Sequence, residues 1–269
     1  MAGSALAAAE QKLRAGDLSA CLADLRNEVR GNPAAVAPRI FLAQVLMVIG
    51  EWDRALTQLN VIAEMDASAI PMTRAYAAAI QCEQLRVAIL KGARSPVIFG
   101  DPEPWLALIV QGLAALAAGR TDQADAIRAE AFAAAPATSG SLNGQEFEWI
   151  ADAYSRLGPV LEALLNGAYY WVPFHRIASV ELEPPADLRD MVWIPAQFTW
   201  TNGGQAAGFI PTRYAGTEAC EDSGLRLARR TEWKAIGTDA FAGLGQRVLA
   251  TSADEVPLLE VRELRLSGS

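Results

Sequence analysis

Along the first half of the chain, apolar residues recur at helical spacing. Leu42, Val45, Leu46 and Ile49 fall at i, i+3, i+4 and i+7, and Ala55, Leu59 and Ile62 repeat the spacing in the next stretch. Each segment therefore presents one apolar stripe, as an amphipathic helix does. Trp105, Leu108, Ile109, Gly112, Leu113 and Leu116 make a longer stripe, with Asp101 and Pro102 as its expected N-cap and first-turn proline. Pro71 to Leu90 reads as one further helix. Gly16, Leu18, Cys21, Leu25 and Pro33 recur as Gly50, Trp52, Ala55, Leu59 and Ala67, and the register returns as Gly119, Thr121, Ala124, Arg128 and Pro136. These offsets are those of the second helix of a tetratricopeptide unit of about 34 residues, in which glycine turns the corner and a small residue lets helices approach. Residues 1–138 thus read as about seven antiparallel helices stacked as a short TPR-like solenoid.

The pattern changes near residue 138. One helix, roughly Gln145 to Leu165 and kinked at Gly158 and Pro159, is expected to lead the second half. Strand signals then dominate, at Ala168 to Pro173, Ile177 to Leu182, Ala196 to Trp200, Ala207 to Ile210, Arg247 to Thr251 and Leu258 to Leu264. Val180 and Leu182 alternate with Ser179, Glu181 and Glu183, the period of a half-buried strand. Asn202, Gly203 and Gly204 supply a hairpin turn. Residues 139–269 read as a small, mostly antiparallel β-rich domain packed on the solenoid through its leading helix, which makes the fold class α+β.

Charge narrows the partners. The 269 residues carry 23 Lys and Arg against 31 Asp and Glu, a formal charge of −8, which argues against nucleic acid and anionic membrane surfaces. The longest charge-free stretch, Pro104 to Gly119, has 16 residues, short of the roughly 20 a spanning helix needs. The segment Met1 to Ala9 lacks the basic region of a signal peptide. Cys21, Cys82 and Cys220 are odd in number and form no CxxC pair, so reduced thiols and a cytoplasmic location are expected.

Catalytic patterns are missing from the sequence. His175 is the single histidine, which excludes two-histidine metal sites and HExxH pairs. No GxSxG elbow or phosphate-binding loop occurs, and Gly243-Leu244-Gly245 lacks the third glycine of a dinucleotide fingerprint and reads as a turn. His175 reads as a hydrogen-bonded structural residue at a strand corner. The carboxylates Asp152, Glu162, Asp187 and Asp190 read as solvated or paired to arginines such as Arg156 and Arg189. No enzyme activity, cofactor or metal is expected. Arg226, Arg229, Arg230 and Lys234 cluster beside Trp233, as a salt-bridged face or as a docking patch for an acidic partner. Trp149, Trp171, Trp193, Trp200 and Trp233 are expected in the core of the sheet domain. A groove between stacked helices needs no catalytic residue and suits an amphipathic helix or an extended peptide. Trp52 and Trp105 are the candidate anchors in it.

Several ordered runs carry a resemblance that spans nearly the whole chain. They include Gly50-Glu51-Trp52-Asp53-Arg54-Ala55-Leu56, Phe99-Gly100-Asp101-Pro102-Glu103-Pro104-Trp105, Phe147-Glu148-Trp149-Ile150-Ala151-Asp152 and Ser155-Arg156-Leu157-Gly158-Pro159. Tyr169-Tyr170-Trp171-Val172-Pro173-Phe174-His175, Pro184-Pro185-Ala186-Asp187-Leu188-Arg189-Asp190 and Ile210-Pro211-Thr212-Arg213-Tyr214 follow in the same order. In these the chain resembles the ImpE family, also called TagJ or SciE, accessory proteins of bacterial type VI secretion systems. The resemblance implies a cytoplasmic, non-enzymatic accessory of the contractile sheath that binds the N-terminal helix of the small sheath subunit, TssB, and is linked to disassembly by the ATPase ClpV. It assigns no individual contact residue. The alternative from the same fold is a general TPR-like scaffold or chaperone for another helical partner.

Overall fold

Glycine sets the corners of the helical half. The computed structural model describes residues 2–267, beginning with α1 (Ala2–Ala15), α2 (Leu18–Gly31), α3 (Val36–Val48), α4 (Trp52–Met65), α5 (Ile70–Leu90), α6 (Pro104–Ala117) and α7 (Thr121–Ala134). Gly16, Gly50 and Gly119, the recurring glycines, join α1 to α2, α3 to α4 and α6 to α7, with φ of 82°, 76° and 73°. In each corner the amide after the glycine donates to a carbonyl five residues back: Asp17 to Lys12 at 2.9 Å, Glu51 to Leu46 at 2.9 Å and Arg120 to Ala115 at 3.0 Å. That closure needs a left-handed residue, which glycine adopts without a Cβ penalty. The small residues Cys21, Ala55 and Ala124 are buried where paired helices meet. Arg128 stands where Leu25 and Leu59 are buried, and it turns instead to Asp125 at 2.7 Å.

The start of α6 differs from its expected cap. Glu103, not Asp101, is the residue before the helix, and its side chain makes no cap bond. Its carboxylate is taken by the sheet half, accepting from Arg176 at 2.7 Å and meeting His175 Nε2 at 3.0 Å.

The remaining elements are β1 (Val97–Ile98), β2 (Gly140–Leu142), β3 (Gln145–Phe147), β4 (Ile150–Asp152), β5 (Val160–Leu165), β6 (Ala168–Pro173), β7 (Ile177–Glu181), β8 (Trp193–Trp200), β9 (Gln205–Pro211), a one-turn α8 (Ser223–Arg226), β10 (Thr231–Ala235), β11 (Phe241–Gly245), β12 (Val248–Thr251), β13 (Glu255–Pro257) and β14 (Glu263–Leu266). Nine strands form one sheet in the order β1-β6-β5-β9-β8-β7-β14-β2-β3; β13-β12-β4 and β10-β11 form two smaller ones. β1, which lies between helices α5 and α6 in sequence, joins the large sheet parallel to β6. The neighbouring pairs are antiparallel, including β8 and β9 around the expected Asn202-Gly203-Gly204 turn. The class is α+β.

The leading helix over 145–165 is not formed; β3, β4 and β5 occupy that stretch. Asn143 and Gly144, at φ of 51° and 84°, fold β2 and β3 into a tight hairpin. All six residues of β5 are buried, because the strand faces two cores. A continuous apolar run of this kind looks the same as a buried helix until length and flanking glycines arbitrate. Gly243-Leu244-Gly245, expected as a turn, lies in β11, where the Tyr214 ring fills the space a Cβ at Gly243 would need.

Two cores lie on opposite faces of the large sheet. One joins helix residues such as Leu25, Met47, Ile62, Ile80 and Ile109 to Val160, Leu164, Tyr169, Trp171 and Trp193. The other places Leu161, Ala163, Val172, Val180, Phe198 and Leu264 against Ile150 and Leu249 of the three-stranded sheet. The helical half and the sheet thus share a core directly, with α5 lying against β6.

Candidate functional site

A surface groove runs between α1 and α3, the first helices of two successive hairpins. Leu6, Glu10 and Leu13 form one wall and Ala37, Ile40, Phe41 and Gln44 the other, around a cavity of about 320 Å³. Leu6, Leu13, Ile40 and Phe41 pack on the core with one side and keep the other accessible. At i, i+1 and i+4, Ile40, Phe41 and Gln44 share one face of α3, whereas the buried Leu42, Val45 and Leu46 occupy its core side. The groove therefore consists of apolar residues left over after α3 has satisfied its own packing.

The sheet half closes one end of this groove. Gln44 Nε2 donates to both carboxylate oxygens of Asp187, at 3.1 and 3.0 Å. Arg189 pairs with Asp187 at 2.7 Å and lays its guanidinium over the Tyr76 ring, 4.5 Å from the centroid. Burial tends to raise the Asp187 carboxyl, and the bonds from Arg189 and Gln44 outweigh it and hold the group below the ordinary carboxylate range. On the α1 side, Arg229 Nη2 donates to the carbonyls of Leu13 and Arg14 at 3.1 and 3.0 Å. A guanidinium on the last carbonyls of a helix satisfies orphan acceptors and complements the helix dipole.

The residues singled out from sequence are not gathered in one place. Trp105 is 3% exposed, with its indole N–H donating to Glu103 at 2.8 Å and its ring 6.2 Å from His175. It packs inside the molecule and offers no face to a partner. Trp52 is half-buried, its ring 5.9 Å from that of Trp193 at the helix–sheet boundary. Arg230 is held by Asp222 at 2.9 Å and by Glu232. Arg226 is half-buried and gives its backbone carbonyl to Arg213. Of the cluster, the Arg229 and Arg230 guanidiniums are engaged within the chain, and Arg229 touches the groove wall through the Leu13 carbonyl. Trp171, Trp193 and Trp200 are core residues as expected, whereas Trp149 and Trp233 are 43% and 40% exposed. The sequence patterns do not mark Leu6, Leu13, Ile40 and Phe41; the signal they carry is that Ile40 and Phe41 are large, apolar and off the core stripe of α3.

A network of buried charges joins α5 to the sheet. Arg86 on α5 meets Glu162 on β5 and Glu83 one helical turn away, the latter at 3.2 Å. Arg247 pairs with both Asp152 and Glu162 and donates through Nε to the Pro211 carbonyl at 2.8 Å. Tyr169 donates to Glu162, Trp171 Nε1 to the Tyr169 hydroxyl at 2.9 Å, and Trp193 Nε1 to Glu83 at 2.8 Å. Burial pushes the Asp152 carboxyl up to about 6 against the pull of Arg247. At Glu162 the same burial is outweighed by two guanidiniums, and the carboxyl falls to about 2. Paired and hydrogen-bonded on all sides, these groups hold the halves together. Among the described residues no group of three or more His, Cys, Asp or Glu side chains is arranged to hold a metal ion, and no helix is long and apolar enough to cross a membrane.

Comparison with known proteins places this architecture. Residues 144–265 match the family described as ImpE protein. Over 262 residues the chain is 45% identical to the type VI secretion system accessory component TagJ of Pseudomonas aeruginosa, spanning 97% of this chain and 92% of that one. The fold is also that of the crystal structure of protein VPA1032 from Vibrio parahaemolyticus, with a TM-score of 0.87 at 21% identity, covering 97% of this chain and 98% of that one.

Proposed function

The chain belongs to the ImpE family of type VI secretion accessory components, and on that premise we propose that it is a cytoplasmic adaptor of the contractile sheath, without catalytic activity. Its partner in this reading is the N-terminal helix of the small sheath subunit, TssB, and its effect is on sheath assembly or on disassembly by ClpV. The hairpins α1–α2, α3–α4 and α6–α7 act as TPR-like units, and the groove between α1 and α3 receives the helix.

One observation supports the groove above other surfaces. Leu6, Leu13, Ile40 and Phe41 are four large apolar side chains, partly accessible and lining one groove, the kind of surface on which an amphipathic helix lays its apolar face. Complete burial of such a side chain is worth about 1.5–3 kcal/mol. These four are already half-buried, so roughly 3–6 kcal/mol remains for a partner to gain. Micromolar binding requires about 8 kcal/mol, so the helix also needs polar contacts, which Gln44 and the Asp187–Arg189 pair offer at the closed end.

Co-expression with the full-length small sheath subunit, and with the same subunit lacking its N-terminal helix, tests the reading. The adaptor account expects co-purification with the first and loss with the second. Equal recovery of both would place the contact elsewhere on the subunit, and recovery of neither would favour a general helical scaffold acting on another partner.

A further inference from the structure

A second cleft lies on the other side of α3, between α2 and α4. At 100° per residue, Leu42 and Leu46 point roughly 170° away from the centre of the face formed by Ala37, Ile40, Phe41 and Gln44. The half-buried Val29, lying over these two buried leucines, floors a cleft of about 370 Å³ whose walls carry Arg26 and Arg30 on α2 and Arg54, Thr57 and Gln58 on α4. Arg39 reaches its edge through a hydrogen bond to Gln58 at 2.8 Å. Four guanidiniums thus surround an apolar floor on a chain whose formal charge is −8.

Within the chain these cations are under-matched. Glu51 serves both Arg26, at 3.3 Å, and Arg54. Arg30 finds only the Asn27 side chain, at 3.4 Å, and Arg39 uses Gln58 and the Pro33 carbonyl. Among the described residues, no other carboxylate pairs with any of the four. Arg26 and Arg30 lie one turn apart on one wall and face Arg54 across the floor. An occupant complementary to that layout has an apolar stripe with carboxylates along both flanks.

We infer that this cleft docks an acidic amphipathic helix of a second protein, which would let the chain hold two partners on opposite sides of one helical layer. The inference rests on the cleft's own charge and shape and not on the sheath reading. Guanidiniums on both walls favour carboxylates on both flanks of the ligand, and the apolar floor at Val29 favours a helix with an apolar stripe over a polyanion that offers charge alone.

The test is fluorescence anisotropy of the full chain with a labelled 18-residue helical peptide bearing Leu at i, i+3, i+4 and i+7 and Glu on the flanks. Its isomer with Lys in place of Glu and a single-stranded DNA 20-mer serve as comparison probes. The Glu peptide is expected to bind, to weaken at least tenfold from 50 to 300 mM salt, and to weaken at least tenfold in R30E/R54E. R30Q/R54Q supplies a milder variant, with circular dichroism confirming the fold of both. Equal binding of the Lys isomer, equal or tighter binding of the DNA, unchanged binding in both folded variants, or no binding of the Glu peptide at millimolar concentration would each overturn the inference.

Discussion

Arg86 on α5 grips Glu162 on β5 through two parallel hydrogen bonds, Nε to Oε1 at 2.8 Å and Nη2 to Oε2 at 2.9 Å. The same Nη2 donates to the Arg213 carbonyl at 2.7 Å, so one guanidinium joins the helical layer, a central strand and the loop after β9. Removing it strands charge where water cannot reach. Arg86→Ala is expected to cost about 3–5 kcal/mol, the range for breaking a buried pair, because it leaves Glu83 without its cation and leaves Glu162 to share Arg247 with Asp152. Urea unfolding followed by tryptophan fluorescence measures it; a loss under 1 kcal/mol would show that the network does not hold the halves together.

The network also predicts the response to acid. The Glu162 carboxyl lies at about 2, below its ordinary 4.5, so the stability it adds is present above about 4.5 and is lost as pH falls towards 2. Asp152, raised from 3.8 to about 6, has the opposite sign: its contribution is complete below 3.8 and is lost as pH rises through 6. Falling pH therefore gains from Asp152 between 6 and 4, while the loss from Glu162 takes over below 4.5. Denaturant titrations across pH 3 to 7 should show a maximum near 4 to 5 from these two groups. Glu162→Gln should make the acid limb shallower, leaving the part that Asp187 and other paired carboxylates supply, and lower stability at pH 7 by about 3 kcal/mol. A variant with the wild-type acid slope would contradict this assignment.

Gly245 is a backbone requirement of the β10–β11 hairpin. Its φ is 88°, and a Cβ there would collide with the Arg230 carbonyl oxygen and press on Leu225 at 2.8 Å. Gly245→Ala is expected to destabilise by about 2 kcal/mol or more, because strain and collision add. Gly203, at φ 82° in the open β8–β9 turn with nothing within 4 Å of a Cβ, serves as the comparison and should lose less, about 1 kcal/mol.

Much of the helical half was legible because its signals are local. Gly16, Gly50 and Gly119 mark corners through a conformation few other residues adopt, and Cys21, Ala55 and Ala124 mark close approach by size. The strands with one wet face, such as β7, or with a marked turn, such as β8–β9, were readable for the same reason. β5 was not, because a strand buried on both faces has no period to read. The groove and the charge network were hidden for a different reason. Glu162 stands alone in an apolar run, which signals a buried partner but not that Arg86 and Arg247, 76 and 85 positions away, supply it. In the sequence Arg229 belongs to a basic patch, and only the tertiary fold shows it capping α1.

That cap predicts a link between the sheet half and the groove. Arg229→Ala removes two hydrogen bonds from the end of α1, worth roughly 0.3–1 kcal/mol for an exposed charge at a helix terminus. Global stability should change little. Hydrogen exchange should accelerate in the last turn of α1 and leave α5 unchanged; equal protection in the variant would show that α1 holds its place without the sheet half.

The central claim is that the groove between α1 and α3 receives the N-terminal helix of the small sheath subunit. Isothermal titration of the full chain with a peptide spanning that helix, against a scrambled control, measures it most directly, with Phe41→Glu as the groove variant and circular dichroism to confirm its fold. The account predicts sequence-dependent micromolar binding that weakens at least tenfold in Phe41→Glu, the loss of about 1.4 kcal/mol or more from one anchor. Binding unchanged by Phe41→Glu, or absent from folded wild-type protein, would contradict it.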